Sequence, residues 1–341
     1  MSRPAPTRRR FLAAGAAAGA FASIGILRRR GEAAQFSYKL ANDQVPSHPM
    51  NGRTAEAAKR IAEASGGQLE IRLFPNSALG GDPQMLAQAR TGAVELLQIG
   101  SNVLGSIVPA SSLLSIPFAF DGTKEYMSAA RGPLGAYVAG QTDAHGLRVL
   151  DATFYGGTFH IENRVRAIDG PGDLKGLKIR VPPGPLDVAT FKAFDAAPTV
   201  VSLGEVYTSL MTHIVDGIEV PLPTMQNFKF YEQVKFGSLT SHSALAYFTV
   251  ANADAWNRLP KKLQELVQHE LGAAALAAQA DFVAQEGSVE STLRGEGMVF
   301  NRPAQAPFRE IVRSSGLYGQ WRERFDPKGW DALEKTTGKL A

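Results

Sequence analysis

The sequence predicts an α/β fold in two lobes with one long helix able to cross both, on three observations. Strand-period and helix-period segments alternate, and the alternation resumes after Gly156-Gly157, which is the grammar of helices covering a largely parallel sheet. The 341 residues exceed the ~100–200 of a usual single domain. A stretch rich in Ala, Leu, Gln and Glu runs over residues 256–293, and at ~1.5 Å per residue it reaches ~50 Å if unbroken.

Each element has a local reason. Residues 36–40 alternate apolar and polar, as a strand does. A helix over 49–65 places Met50, Ala57, Ile61 and Ala64 on one face and ends at Gly66-Gly67. Residues 69–74 form a strand closed by Pro75-Asn76. Gly80-Gly81 makes a turn into a helix over 82–90, with Asp82 as N-cap and Pro83 at the first position. Residues 96–99 read as a short buried strand, 123–141 as helix and 147–154 as strand. In the second run, 177–181 is strand, 186–194 helix, 199–201 strand and 205–211 helix. One more strand lies at 246–252, and helices follow the long one at 305–314 and 317–324.

Composition excludes several classes. Hydrophobic residues make up 44% and charged residues 20%, too apolar for disorder. With no Cys, disulfides, thiolate metal sites, iron–sulfur clusters and cysteine nucleophiles are absent, which suits an oxidising compartment. The net charge of +4 is concentrated at one end: residues 1–34 carry seven arginines against Glu32 alone, a charge of +6, so the rest of the chain carries −2. A near-neutral body with no basic run interleaved with aromatics points to no nucleic-acid partner.

The N-terminus reads as an export signal. Arg8-Arg9-Arg10-Phe11-Leu12 precedes a weakly apolar Ala- and Gly-rich segment and then Arg28-Arg29-Arg30. The arginine pair before Phe-Leu, with low hydrophobicity behind it, resembles a twin-arginine signal. Cleavage is expected near Ala34, which places the mature protein in the periplasm. The competing reading is an uncleaved anchor over 11–27, shorter than the ~20 apolar residues of a usual span.

Catalytic signatures are missing. No G-x-G-x-x-G follows a strand, and there is no P-loop, G-x-S-x-G or H-E-x-x-H. Histidines 48, 145, 160, 213, 242 and 269 are scattered, and carboxylate pairs such as Glu265 and Glu270 fit a solvated helix face. Neither an enzyme, a metal site nor a cofactor is expected. Arg180 invites a binding role. In Leu177-Lys178-Ile179-Arg180-Val181-Pro182-Pro183 the apolar residues share one strand face and Lys178 and Arg180 the other. The proline pair ends the strand, so Arg180 stands at its carboxyl end, where open α/β sheets bind ligands. Its planar fork matches a carboxylate. A surface arginine on an edge strand is the plainer alternative.

Asp173-Leu174-Lys175-Gly176-Leu177-Lys178-Ile179-Arg180-Val181-Pro182 resembles the signature of the solute-binding proteins of TRAP transporters, the tripartite ATP-independent periplasmic family of P-type, DctP-like receptors. Phe74-Pro75-Asn76-Ser77-Ala78-Leu79-Gly80, Glu205-Val206-Tyr207, Val215-Asp216-Gly217-Ile218-Glu219 and Lys229-Phe230-Tyr231-Glu232 fit the same family in order, and the similarity covers about residues 36–330. The resemblance implies a two-lobed periplasmic-binding-protein-like fold closing on a small organic acid. Lobe I would comprise 35–155 and 245–285, lobe II 156–244 and 286–330, with 331–341 a C-terminal tail. It implies a salt bridge from Arg180 to the ligand carboxylate and a further role for Glu219 on the loop after Asp216-Gly217. Two positions depart from the family: Phe159, beside His160, stands where a second arginine is frequent, and Val220 where asparagine is frequent. Both favour one carboxylate clamp in a more apolar pocket, hence a monocarboxylate with an apolar body over a sugar acid or small dicarboxylate.

Other candidates carry two readings each. His48 contacts ligand or caps the helix after it; Tyr155, Phe159 and His160 line the cleft or pack the hinge; Gln226 and Asn227 contact ligand or start a helix. The expected partners are an organic carboxylate and the membrane permease subunits of a TRAP transporter, with the receptor itself a monomer. The competing functions are an exported enzyme and a binding protein coupled to a sensor kinase.

Overall fold

Two β-α-β-α-β runs build the two halves of one nine-stranded sheet in the computed structural model, which describes residues 34–340; the signal segment read at the N-terminus lies outside them, Ala34 apart. The first run supplies β1 (Phe36–Ala41), β2 (Leu69–Phe74) and β3 (Leu96–Gly100). After β4 (Leu147–Asn163), the second supplies β5 (Lys178–Val181), β6 (Ala197–Val200) and β7 (Gly217–Val220). Then come β8 (Phe236–Asn252) and the short β9 (Val299–Asn301). The strand order is β2-β1-β3-β8-β4-β7-β5-β6, with β9 on β8. Each run thus sets its first strand between its second and third, all parallel. Alternation explains the outer strands: Tyr38 and Leu40 of β1, like Leu69 and Ile71 of β2, are buried, while Ser37, Lys39, Glu70 and Arg72 face solvent.

The sheet is more mixed than the alternation implies, because β3–β8, β8–β4 and β4–β7 are antiparallel. β4 and β8 are each 17 residues long and belong to both halves. β8 pairs β3 through its last residues, while β4 pairs β7 through its own. Sequence reading found only 147–154 and 246–252 of them. The remainder of β4 opens on Gly156-Gly157, and the first part of β8 carries Ser238, Thr240, Ser241 and Ser243, so neither shows an apolar alternation.

Gly157 sits at a register shift between β4 and β8 with φ +108°. A Cβ there would lie 2.5 Å from Pro221 Cβ and 3.0 Å from the Phe282 ring. Gly157→Ala is therefore expected to cost on the order of 1–3 kcal/mol, from backbone strain alone and more with the clash. Urea denaturation at fixed pH measures it; a midpoint equal to that of wild type contradicts the assignment.

The long helix runs Lys261–Gly295, split by Pro260 from a short helix Ala253–Arg258. Its buried face, from Leu263, Val267 and Leu271 through Ala278 and Phe282 to Val289 and Leu293, follows helical spacing. The first part packs with Leu40, Met50 and Ile61 of the first half; Val289 and Leu293 pack with Ile218, Met225 and Phe230 of the second. Helix 123–141 divides at Gly132-Pro133 into Thr123–Arg131 and Pro133–Thr142. The helix Pro327–Thr337 runs into the segment read as a tail, 331–341, and inserts Trp330 and Leu333 into the main core.

Candidate functional site

The carboxyl ends of the parallel strands of both halves converge on one narrow cavity of about 30 Å³, where ligands enter open α/β sheets. Asp43 and Gln44 follow β1, Gly100 and Asn102 end β3, Arg180 and Pro182 end β5, Leu203 follows β6, and Val220 and Pro221 end β7. The crossing strands supply Phe159, Leu245 and Tyr247. Asp82 enters from the helix Asp82–Thr91. It is the first helical residue and not the cap expected from sequence: Gly81 is the N-cap, and no side chain closes that end. The Asp82 carboxylate is buried beside Asp43 and Arg180 instead.

Arg180 is 2% exposed. Its Nε donates to the Val201 carbonyl at 2.8 Å. Among the described residues its two Nη groups make no hydrogen bond to protein, and no carboxylate forms an ion pair with it. Asp43, Asp82, Asp187 and Glu219 surround it without pairing with it, and whatever ionised form they hold favours its protonation against burial. Arg180 is thus a buried cation with its bidentate fork unspent at a cavity wall. Lys178, on the same strand, is exposed and donates to the His213 carbonyl at 2.8 Å.

Glu219 lies in β7 and not on a loop: Ile218 pairs with Arg180, and Glu219 pairs with Ile161 of β4. Its Oε2 is 2.7 Å from His242 Nε2, and His242 Nδ1 is 2.8 Å from Thr240 Oγ1. Burial pushes Glu219 up to about 8, against the pull of Arg180, and pushes His242 down to about 3. At neutral pH the proton rests on Glu219, which donates to the imidazole and leaves the guanidinium charge available. A raised carboxyl pKa favours the folded state below the unfolded value near 4.5 and loses that contribution as pH rises through about 8. Glu219→Gln keeps the shape and cannot ionise. Its stability relative to wild type is therefore expected to increase between pH 5 and 8, measured by thermal unfolding across that range. A constant difference would contradict the assignment.

Of the residues singled out from sequence, Arg180, Phe159 and Val220 line the cavity, and Glu219 stands against Arg180. The other five lie elsewhere. His48 Nδ1 accepts from the Met50 amide at the start of helix Pro49–Ala64, and its ring packs on Phe282 at 5.3 Å. Tyr155 shares hydrogen bonds with Thr123 and Thr158 and donates to Glu286. His160 Nδ1 accepts from the Ser241 amide. Gln226 and Asn227 close helix Leu222–Asn227, and each side-chain oxygen accepts from Gln285 of the long helix.

Sequence reasoning missed Asp43, Gln44, Asp82, Asn102, Thr224 and Tyr247. The signal that finds most of them is the strand-end rule applied to every parallel strand and not to β5 alone. Tyr247 lies inside a strand, where position in the sequence gives no such cue.

A model of the bacterial extracellular solute-binding protein family 7, DctP, matches residues 40–318. An uncharacterized protein of Sinorhizobium fredii is 32% identical over 274 residues, 80% of this chain and 48% of the relative. The 2,3-diketo-L-gulonate-binding periplasmic protein YiaO of Escherichia coli is 34% identical over 205 residues, 60% of this chain and 62% of the relative. The chain thus spans less than two thirds of the length of these two relatives. A TRAP periplasmic solute-binding protein of Xanthobacter autotrophicus, solved with β-D-galacturonate, superposes with a TM-score of 0.83 at 27% identity, covering 88% of this chain and 99% of that one. By family match and by its two-lobed α/β fold, the chain belongs to the bacterial extracellular solute-binding proteins of family 7, the DctP-type receptors of TRAP transport.

Proposed function

We propose that this protein is a periplasmic receptor that binds a small organic acid by its carboxylate between the two lobes and delivers it to a TRAP membrane permease. The observation that carries the reading is Arg180: a buried guanidinium with both Nη groups unpaired, at a cavity built from both halves of the sheet. A carboxylate supplies the two parallel acceptors that this fork lacks. Phe159 and Val220 wall the same cavity with apolar surface, which favours one carboxylate anchor over two. Glu219 and His242 act behind Arg180, holding a proton where a second ionised carboxylate would otherwise compete for the guanidinium.

The lobes of this reading are 35–155 with 245–285, and 156–244 with 286–330, joined by β4, β8 and the long helix. The galacturonate seen in the Xanthobacter protein supports an acid as the ligand class. The arginine-rich N-terminus supports export by the twin-arginine route, and no helix among the described residues is long and apolar enough to cross a membrane.

A thermal-shift screen of mono-, di- and sugar carboxylates against the corresponding amides and alcohols tests the binding. An acid at ~100 times its Kd is expected to add ~2.7 kcal/mol of stability, with no shift from the matched amide. Stabilisation by neutral compounds alone would contradict the reading.

A further inference from the structure

The wall that Asp43, Gln44 and Asp82 present to the Arg180 cavity offers acceptors and few donors. Gln44 is 1% exposed, and both side-chain N–H bonds are spent within the wall: Nε2 donates to Asp43 Oδ1 at 3.1 Å and to Tyr247 Oη at 2.5 Å. The Tyr247 hydroxyl in turn donates to Asp43 Oδ2 at 3.3 Å. That orientation turns Gln44 Oε1 the other way, where it has no partner although buried. Asp82, buried beside Asp43, has no hydrogen bond from the helix end it begins. Two carboxyl groups and the Gln44 amide thus belong to residues lining a cavity where, among the lining residues, Arg180 alone is a cation.

A ligand bearing only a carboxylate leaves this excess of carboxyl groups over cations uncompensated, with burial favouring the protonated form of Asp82. Hydroxyl groups would donate to the acceptors and leave the charge as it stands. An ammonium does both: it carries three N–H donors for three acceptors and one positive charge for the excess. We propose that the ligand is an amino acid, its carboxylate on Arg180 and its ammonium among Asp43, Asp82 and Gln44 Oε1, with an apolar body against Phe159, Leu203 and Val220. This rests on the reading of Arg180 as the carboxylate anchor and narrows the acid it receives. Burial pushes Asp43 up to about 6 and Asp82 well above the carboxylate range, as expected of acceptors whose counter-charge arrives with the ligand.

Calorimetry on the wild-type protein at pH 7.5, after denaturation and refolding to strip carried-over ligand, compares each amine with its des-amino acid. L-leucine is set against 4-methylpentanoate, 6-aminohexanoate against hexanoate, and D-galacturonate serves as the sugar acid. At least one amine is expected to bind ~10-fold or more tightly than its des-amino partner, the scale of one buried charge contact. Asp82→Asn is expected to lower the ratio of amine to des-amino affinity ~10-fold, to near unity. A loss of both alike would mark a folding defect and refute the ammonium role of Asp82. Tighter binding of des-amino acids or of galacturonate, still lost in Arg180→Ala, overturns this inference and leaves the carboxylate receptor standing. Failure of every acid and amine in the panel overturns both.

Discussion

Replacing Arg180 by alanine is expected to abolish most carboxylate binding. Breaking a buried ion pair from one side costs ~3–5 kcal/mol, a loss of ~100- to 1000-fold or more in affinity. The geometry makes the effect large: Arg180 is buried, and its Nη groups have no protein acceptor among the described residues to compensate for the ligand's departure. Arg180→Lys is also expected to bind poorly, because a point charge on a flexible stem replaces a planar fork already aligned by the Val201 carbonyl. Lys178→Ala supplies the contrast. That side chain is exposed and engaged with His213 and Asp216, so affinity is expected to stay within ~2-fold of wild type, since a surface charge contributes at most ~1 kcal/mol. Calorimetry with an acid identified by thermal shift reads all three, and unchanged affinity in Arg180→Ala refutes the anchor.

Replacing Arg8 and Arg9 together by lysine is expected to stop export and leave a full-length precursor in the cytoplasm. The arginine pair is followed by Phe11-Leu12 and a segment whose Ala and Gly content keeps its hydrophobicity low, which suits the twin-arginine route better than the general secretory one. Fractionation of cells expressing wild type and the Lys-Lys variant measures it. Equal periplasmic accumulation of the two contradicts the assigned route.

Much of the fold is legible because its signals are local. Tyr38 and Leu40 alternate with Ser37 and Lys39, and the helix after them shows Ala57 and Ile61 on one face; both patterns survive in the structure. What the sequence hides depends on distant partners. Whether β3 meets a parallel or an antiparallel neighbour is decided by β8, some 150 residues on, and no periodicity in β3 records it. Pro260 and Gly132-Pro133 interrupt helices that composition alone runs together. The site divides in the same way. Arg180 announces itself through Pro182-Pro183, which mark the end of its strand. Asp82 instead carries the signature of a helix cap, Asp before Pro, so its local reading conceals its place beside Asp43 and Arg180. Gln44 becomes informative only when Asp43 and Tyr247 are seen to consume both its N–H donors.

The crystal structure of the protein with the acid that stabilises it most tests the central claim directly. The account predicts a ligand enclosed between the strand ends of both lobes, with its two carboxylate oxygens within ~3 Å of Arg180 Nη1 and Nη2 in a fork-to-fork pair. A ligand seated elsewhere, or one in this cavity with its carboxylate turned away from Arg180, would contradict it.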